Sequence, residues 1–224
     1  MRVGQGFDLV VFDCDGVLVD SERIVIEIEA RVLTEMGWPI TVGEVVARFM
    51  GRPSDDVLAD IAARLGDERA AEFDRVTTEE TLIAFRERLT AIDGIRGLVD
   101  ALHHAGVATC VASSGSHRKM QLTLGITGLH ELFEGRIFSV SDVERGKPAP
   151  DLFLHAASTM AVDPNSAAVV EDSVSGVRAA RAAGMVCFGY AGGLTPTAVL
   201  AEAGAVTFDH MSQLTPRLLP GPVR

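Results

Sequence analysis

Short apolar, β-branched runs recur along the chain at Phe7 to Phe12, Val107 to Ala112, Arg136 to Val140, Ala167 to Val170, Val186 to Tyr190 and Ala205 to Phe208. Each has the length and make-up of a strand. Between most of them the apolar positions fall at helical spacing instead. Gly94 to Ala105 sets Ile95, Leu98, Val99 and Leu102 on one face, and Ser173 to Ala183 does the same with Val174, Val177 and Ala180. Strands that alternate with helices predict a doubly wound parallel α/β sheet. Leu9-Val10-Val11-Phe12 is apolar without a break, as a strand covered on both faces should be, so the first strand is expected at the centre of the sheet.

One interval departs from this alternation. From about Val17 to Thr90 one helical pattern follows another without a convincing strand. Pro39 closes the first helix, Pro53 with Ser54 opens another, and Asp67 to Leu89 reads as one long helix or two short ones. Asp93-Gly94 marks the return to α/β. The chain is therefore expected to have a core of residues 1–19 and 91–224, carrying an all-helical module, residues 20–90, on its first strand-to-helix connection. The tail from Leu219 to Arg224 is expected to fray.

Composition narrows the function classes. A chain of 224 residues, 47% hydrophobic, can bury a core for one or two domains. A formal net charge of -11 argues against nucleic acid as a partner, because phosphate-backbone binding relies on positive surface. No apolar run reaches the roughly 20 residues of a membrane helix, and Met1 to Gly6 lacks the apolar stretch of a secretory signal, so no membrane partner and a cytoplasmic location are expected. Cys14, Cys110 and Cys187 are too scattered for a disulfide framework or a zinc site and are expected as buried thiols. Only Lys119 and Lys147 are lysines; every other basic side chain is arginine.

The strongest chemical signal is Phe12-Asp13-Cys14-Asp15-Gly16-Val17-Leu18 at the end of the first strand. Ligands of open α/β sheets bind beyond the carboxyl ends of strands. Asp13 and Asp15, two apart, can point toward one site while Gly16 lets the backbone turn, although an aspartate-rich turn capping a helix has the same composition. A second acidic pair, Glu171-Asp172, follows the strand Ala167 to Val170. If the two strands are neighbours, up to four carboxylates, Asp13, Asp15, Glu171 and Asp172, converge and call for a cation. Hard oxygen donors without histidine or cysteine favour Mg²⁺, which points to phosphate chemistry. Ser113, in Val111-Ala112-Ser113-Ser114-Gly115-Ser116, ends another strand where free N–H groups could bind an anion or where serine could merely cap a helix. Lys147, in Gly146-Lys147-Pro148-Ala149-Pro150-Asp151, is either a solvated lysine or a compact charge held in a stiff loop to neutralise a phosphoryl oxygen or a carboxylate.

In this order the four elements resemble the haloacid dehalogenase superfamily of phosphotransferases, within it the β-phosphoglucomutase-like branch of small sugar-phosphate phosphatases and mutases. Asp13-x-Asp15-Gly16-x-Leu18 is similar to the first motif, Ser113 to the second, Lys147 to the third and Glu171-Asp172 to the fourth. The resemblance covers nearly the whole chain and implies a Rossmann-like core with a helical cap. It implies Asp13 as nucleophile, Asp15 as acid/base, Ser113 and Lys147 as phosphate clamps and Asp172 as a metal ligand with Glu171 beside it. Mg²⁺ is the implied cofactor and a small phosphate ester the implied partner, for a monomer or weak homodimer.

Departures from the family's patterns narrow the activity. A dehalogenase proper lacks the second aspartate, and a phosphonatase needs a cap lysine, whereas none lies between Val17 and Thr90. The mutase pattern has a cap histidine where this chain has Val25, and a basic cap loop where it reads Met50-Gly51-Arg52-Pro53-Ser54. Hydrolysis of a sugar or sugar-acid phosphate is therefore expected, with mutase activity as the alternative and a non-catalytic binding protein as a third reading. Substrate contacts are expected from Gly16, Glu22, Arg52, Ser114 and Gly115, with Arg52 equally readable as an exposed helix-start arginine. Ser114-Gly115 with Lys119-Met120 looks like sugar-acid phosphatases of the branch, such as those acting on 6-phosphogluconate. His117 is either a substrate contact or solvated, Cys14 is expected to face the core, and Trp38, Phe49 and Phe73 are expected as cap core.

Overall fold

The unbroken apolar run Leu9–Phe12 forms strand β1, and each of its four side chains is fully buried. In the computed structural model, which describes residues 6–50, 52 and 54–219, the chain continues through helices α1 (Ser21–Glu35), α2 (Val42–Phe49), α3 (Ser54–Leu65), α4 (Asp67–Arg88) and α5 (Ile95–His104). There follow β2 (Ala108–Ser113), α6 (His117–Ile126), β3 (Ile137–Ser139), α7 (Asp151–Thr159), β4 (Ala167–Glu171) and α8 (Val174–Ala182). The last elements are β5 (Val186–Tyr190), α9 (Thr197–Ala203), β6 (Val206–Phe208) and α10 (Thr215–Leu218).

The strands form one six-stranded sheet in the order β3-β2-β1-β4-β5-β6, with every neighbouring pair parallel. β1 is central, flanked by β2 and β4, as its two-sided burial requires. All six apolar runs become strands, with ends shifted by a residue or two. Phe7 and Asp8 precede β1, while Ser113 and Glu171 extend β2 and β4. The chain fills one side of β1 with β2 and β3 before crossing to β4, which opens a crevice beyond the carboxyl ends of the central strands.

The described residues fall into two compact units, one taking residues up to Asp20 and from Thr90 onward, the other Ser21–Leu89. In the first unit the two passages of chain lie side by side. The Asp20 N–H donates to the Thr90 carbonyl at 3.0 Å, the Ile92 N–H to the Leu18 carbonyl at 3.0 Å, and Val19 bridges Ala91.

The second unit is helical throughout its described elements. α1 already ends at Glu35, ahead of Pro39, where Gly37 takes a φ of 91°. α2 opens with Thr41 and Glu44 reciprocally capping each other's backbone. Asp67–Arg88 is one continuous helix, settling the choice between one and two. Trp38 packs edge-on against Phe49 at 5.9 Å, and Trp38, Phe49 and Phe73 are all buried, as core residues should be. The expectations that rested on Gly51, on Pro53 and on the tail beyond Leu219 fall outside the described residues. No helix among those described is long and apolar enough to cross a membrane.

Candidate active site

β1 ends at Phe12, and the next residues turn instead of extending. The Leu18 and Val19 N–H groups both return to the Cys14 carbonyl, the Gly16 N–H reaches the Val19 carbonyl, and Gly16 sits at a φ of 75°. A Cβ on Gly16 would stand 2.0 Å from Asp172 Oδ2, so glycine is required here both by the turn and by the closeness of that carboxylate. The Asp13 N–H is held by the Val170 carbonyl at 2.9 Å, tying the ends of β1 and β4 together.

This junction gathers Asp13, Glu171 and Asp172. One oxygen from each lies within 4.8 Å of the others, and all three residues are buried. Lys147, with its side chain only 3% exposed, enters the cluster from the loop before α7. Its Nζ donates to Asp13 Oδ1 at 2.6 Å, Glu171 Oε1 at 2.7 Å and the Ala112 carbonyl at 3.1 Å, and sits 4.9 Å from the centre of the Phe153 ring. Burial pushes the Asp13 carboxyl up to about 7, opposed by Lys147 and reinforced by Glu171. Burial pulls the Lys147 ammonium down, but Asp13 and Glu171 outweigh it and its net shift is upward.

Glu171 also organises the turn into α8. Its Oε2 accepts from the Asp172 N–H at 2.9 Å and from the Ser173 N–H and hydroxyl at 2.8 and 2.9 Å. Gly176 leaves it room, since a Cβ there would lie 1.7 Å from Glu171 Oε1. Ser113 ends β2 fully buried and accepts the Gly115 N–H at 3.1 Å, while Ser139 at the end of β3 holds the Gly115 carbonyl at 2.8 Å. Ser114 is exposed beside them.

Asp13, Glu171 and Asp172 are the carboxylates close enough together among the described residues to share a cation, while Asp15 Oδ2 accepts from Lys119 Nζ at 2.7 Å. Side chains two apart share a direction only in extended backbone, and here the strand has already ended. Lys119, in the first turn of α6, thus pairs with Asp15, where the sequence offered only the likeness of Lys119-Met120 to sugar-acid phosphatases and no such contact. Its signal was lysine scarcity, since both lysines of the chain pair with site aspartates. Burial pulls the Lys119 ammonium down, yet Asp15 outweighs this and the net shift is upward.

Glu22 and Arg52 belong to the second unit, where Arg52 pairs with Asp60 at 2.6 Å and also donates to the Arg48 carbonyl. A cavity of about 430 Å³ in that unit is bordered by Trp38, Arg48, Phe49, Arg52, Asp60 and Arg64, among others. His117 Nε2 lies 2.9 Å from Asp142 Oδ1 on an exposed surface. Cys14 is fully buried and contacts Thr123 Oγ1 at 3.8 Å, on the core side as expected, and Cys110 and Cys187 are buried too. The donor set at the β1–β4 junction suits a hard divalent cation: it offers only oxygen, carries more negative than positive charge, and is shielded from water.

The family model for haloacid dehalogenase-like hydrolases matches residues 7–184. The 6-phosphogluconate phosphatase of Escherichia coli K12 is 33% identical over 208 residues, 92% of each chain. The phosphorylated carbohydrates phosphatase of Thermotoga maritima is 32% identical, over 89% of this chain and 92% of its own. Among solved structures, a hydrolase of the same family from Deinococcus radiodurans, with bound phosphate and sodium, superposes with a TM-score of 0.80 at 34% identity, covering 93% of each chain.

Proposed function

The chain belongs to the haloacid dehalogenase-like hydrolases, and from that premise we propose that it is a phosphatase for a sugar or sugar-acid phosphate, working through a phosphorylated Asp13 with Mg²⁺ as cofactor. The observation that carries this reading is the buried group of Asp13, Glu171 and Asp172 around Lys147 at the carboxyl ends of β1 and β4.

A carboxylate attacks a phosphate ester only where the repulsion between the two anions is offset. Lys147 supplies one fixed positive charge at 2.6 Å from Asp13. Asp13 and Asp172, with Glu171 behind them, would hold Mg²⁺, which when bound supplies the second. Asp13 Oδ forms a bond to phosphorus as the ester oxygen leaves with a proton from Asp15. Asp15 then takes a proton from a water whose oxygen bonds to phosphorus, and the bond to Asp13 breaks. Ser113 and the Ser114-Gly115 backbone bind the phosphoryl oxygens. Glu22 and Arg52 contribute to substrate choice on the strength of the resemblance.

Phosphate release from 6-phosphogluconate and other phosphorylated carbohydrates, with Mg²⁺ and after chelation, tests the reading. Asp13→Asn should lower kcat at least 10³-fold, and chelation should abolish turnover that added Mg²⁺ restores. Appreciable activity of Asp13→Asn would refute the nucleophile. Incubation with β-glucose 1-phosphate and a trace of its bisphosphate separates the mutase alternative, which gives an isomer in place of free phosphate.

A further inference from the structure

Lys119 is the second charged partner in the site, and its place next to Asp15 gives it a function of its own. Its Nζ stands 2.7 Å from Asp15 Oδ2, and its side chain is 41% exposed, against 3% for Lys147. The Gly115 position brings the same groups together. A Cβ built there would meet Lys119 Cδ at 3.5 Å, Ser113 Oγ at 3.5 Å and Asp15 Oδ2 at 3.6 Å. Lys119 thus borders the space shared by the phosphate-binding serine and the acid/base, with part of its side chain exposed. The Ser116 side chain, accepting from the Lys119 N–H, fixes the first turn of α6 and with it the root of this lysine.

We propose that Lys119 is a specificity residue that donates to hydroxyl or carboxylate oxygens on the carbons next to the ester oxygen, selecting polyhydroxylated and acidic leaving groups. The inference rests on the phosphatase reading above, with Asp15 as acid/base. To protonate the leaving oxygen, the protonated Asp15 carboxyl must come within about 3 Å of it. With Oδ2 held by the ammonium and Oδ1 delivering the proton, the ammonium is then about 8 Å or less from the ester oxygen. The first two or three carbons of the leaving group pass through this interval. An ammonium carries three donors and no acceptor, so it can keep Asp15 and still offer hydrogens to the substrate. Oxygen-bearing carbons accept them; a plain alkyl chain leaves them unmet and must strip water from a charged group. Lys147 cannot share this duty, because Asp13, Glu171 and the Ala112 carbonyl already hold it below the surface.

The test compares kcat and KM on 6-phosphogluconate and on hexyl phosphate for the wild type, Lys119→Met and Lys119→Arg. The two esters have similar alkyl leaving groups and so ask similar help of Asp15, but only one presents oxygens to Lys119. Lys119→Met should lower the ratio of kcat/KM for 6-phosphogluconate over hexyl phosphate at least tenfold, mainly by raising the 6-phosphogluconate KM, and Lys119→Arg should restore part of the ratio. An unchanged ratio in Lys119→Met, with both substrates slowed alike or neither slowed, would show that Lys119 serves Asp15 or the fold and overturn the inference while leaving the phosphatase reading intact. Wild-type protein that released phosphate from neither ester would overturn both.

Discussion

Lys147 shows how one residue can carry both stability and chemistry. It is the ammonium set among three buried carboxylates, bonded to two of them, so removing it strands like charges out of reach of water. Breaking a buried pair by deleting one partner costs on the order of 3 to 5 kcal/mol. Lys147→Met is therefore expected to destabilise the Mg²⁺-free protein by about that much at pH 8. The cost should be smaller at pH 5.5, below the value of about 7 to which burial raises the Asp13 carboxyl even beside Lys147, since a protonated carboxyl no longer needs the ammonium. Denaturant unfolding of both proteins with chelator at pH 8 and pH 5.5 checks this, and an equal cost at both values would contradict it. Gly16 and Gly176 act at the same scale, since any side chain there would collide with Asp172 or Glu171.

At the scale of elements, α1 carries a conflict of its own. Glu29 lies between the buried residues Ile28 and Ala30, and burial raises its carboxyl from 4.5 to about 7. The folded chain then holds this proton more tightly than the unfolded chain, so the contribution to stability is complete below about pH 4.5 and is lost as pH rises to about 7. Glu29→Gln, which cannot ionise, should raise stability at pH 8 by on the order of 2 kcal/mol and change it little at pH 4.5. Thermal unfolding at the two pH values is the measurement, and a gain of equal size at both would point to some other cause. Elements of this kind also mark what the sequence could tell. The strands were legible because two-sided burial writes an unbroken apolar run, and β1 could be placed at the centre for that reason alone. Asp13, Glu171 and Asp172 were legible because each lies at or just past a strand end, where the parallel sheet brings them together, and Ser113 because it ends the neighbouring β2. The Lys119–Asp15 pair was not, because it joins positions 104 residues apart through the direction of a turn and the first turn of α6. No periodicity along the chain encodes such a meeting.

The whole molecule poses the question of how an interrupted chain keeps one sheet. The first unit is assembled from two stretches of sequence, yet its parallel ladder depends on β1 finding β2 and β4 on either side after the helical segment has intervened. The local geometry at the interruption makes this manageable. Asp20 and Thr90 are joined by a backbone hydrogen bond of 3.0 Å, with Val19 bridged to Ala91, so the two ends of Ser21–Leu89 emerge side by side. The loop to be closed there is thus already short in space, and loop-closure entropy grows only slowly with length. Replacing Ser21–Leu89 by two or three glycines should therefore leave a folded core that unfolds cooperatively, because the central strand, its partners and the Lys147 cluster all belong to the first unit. Its near-UV circular dichroism and a single sharp thermal transition would establish this. A molten, non-cooperative product would mean instead that the core depends on the helical unit for its stability. If the short-linked core also retains binding of inorganic phosphate in the presence of Mg²⁺ while losing discrimination among phosphate esters, the division of labour follows the division of the chain: charge handling resides with β1, β2 and β4, and part of substrate choice with the inserted helices.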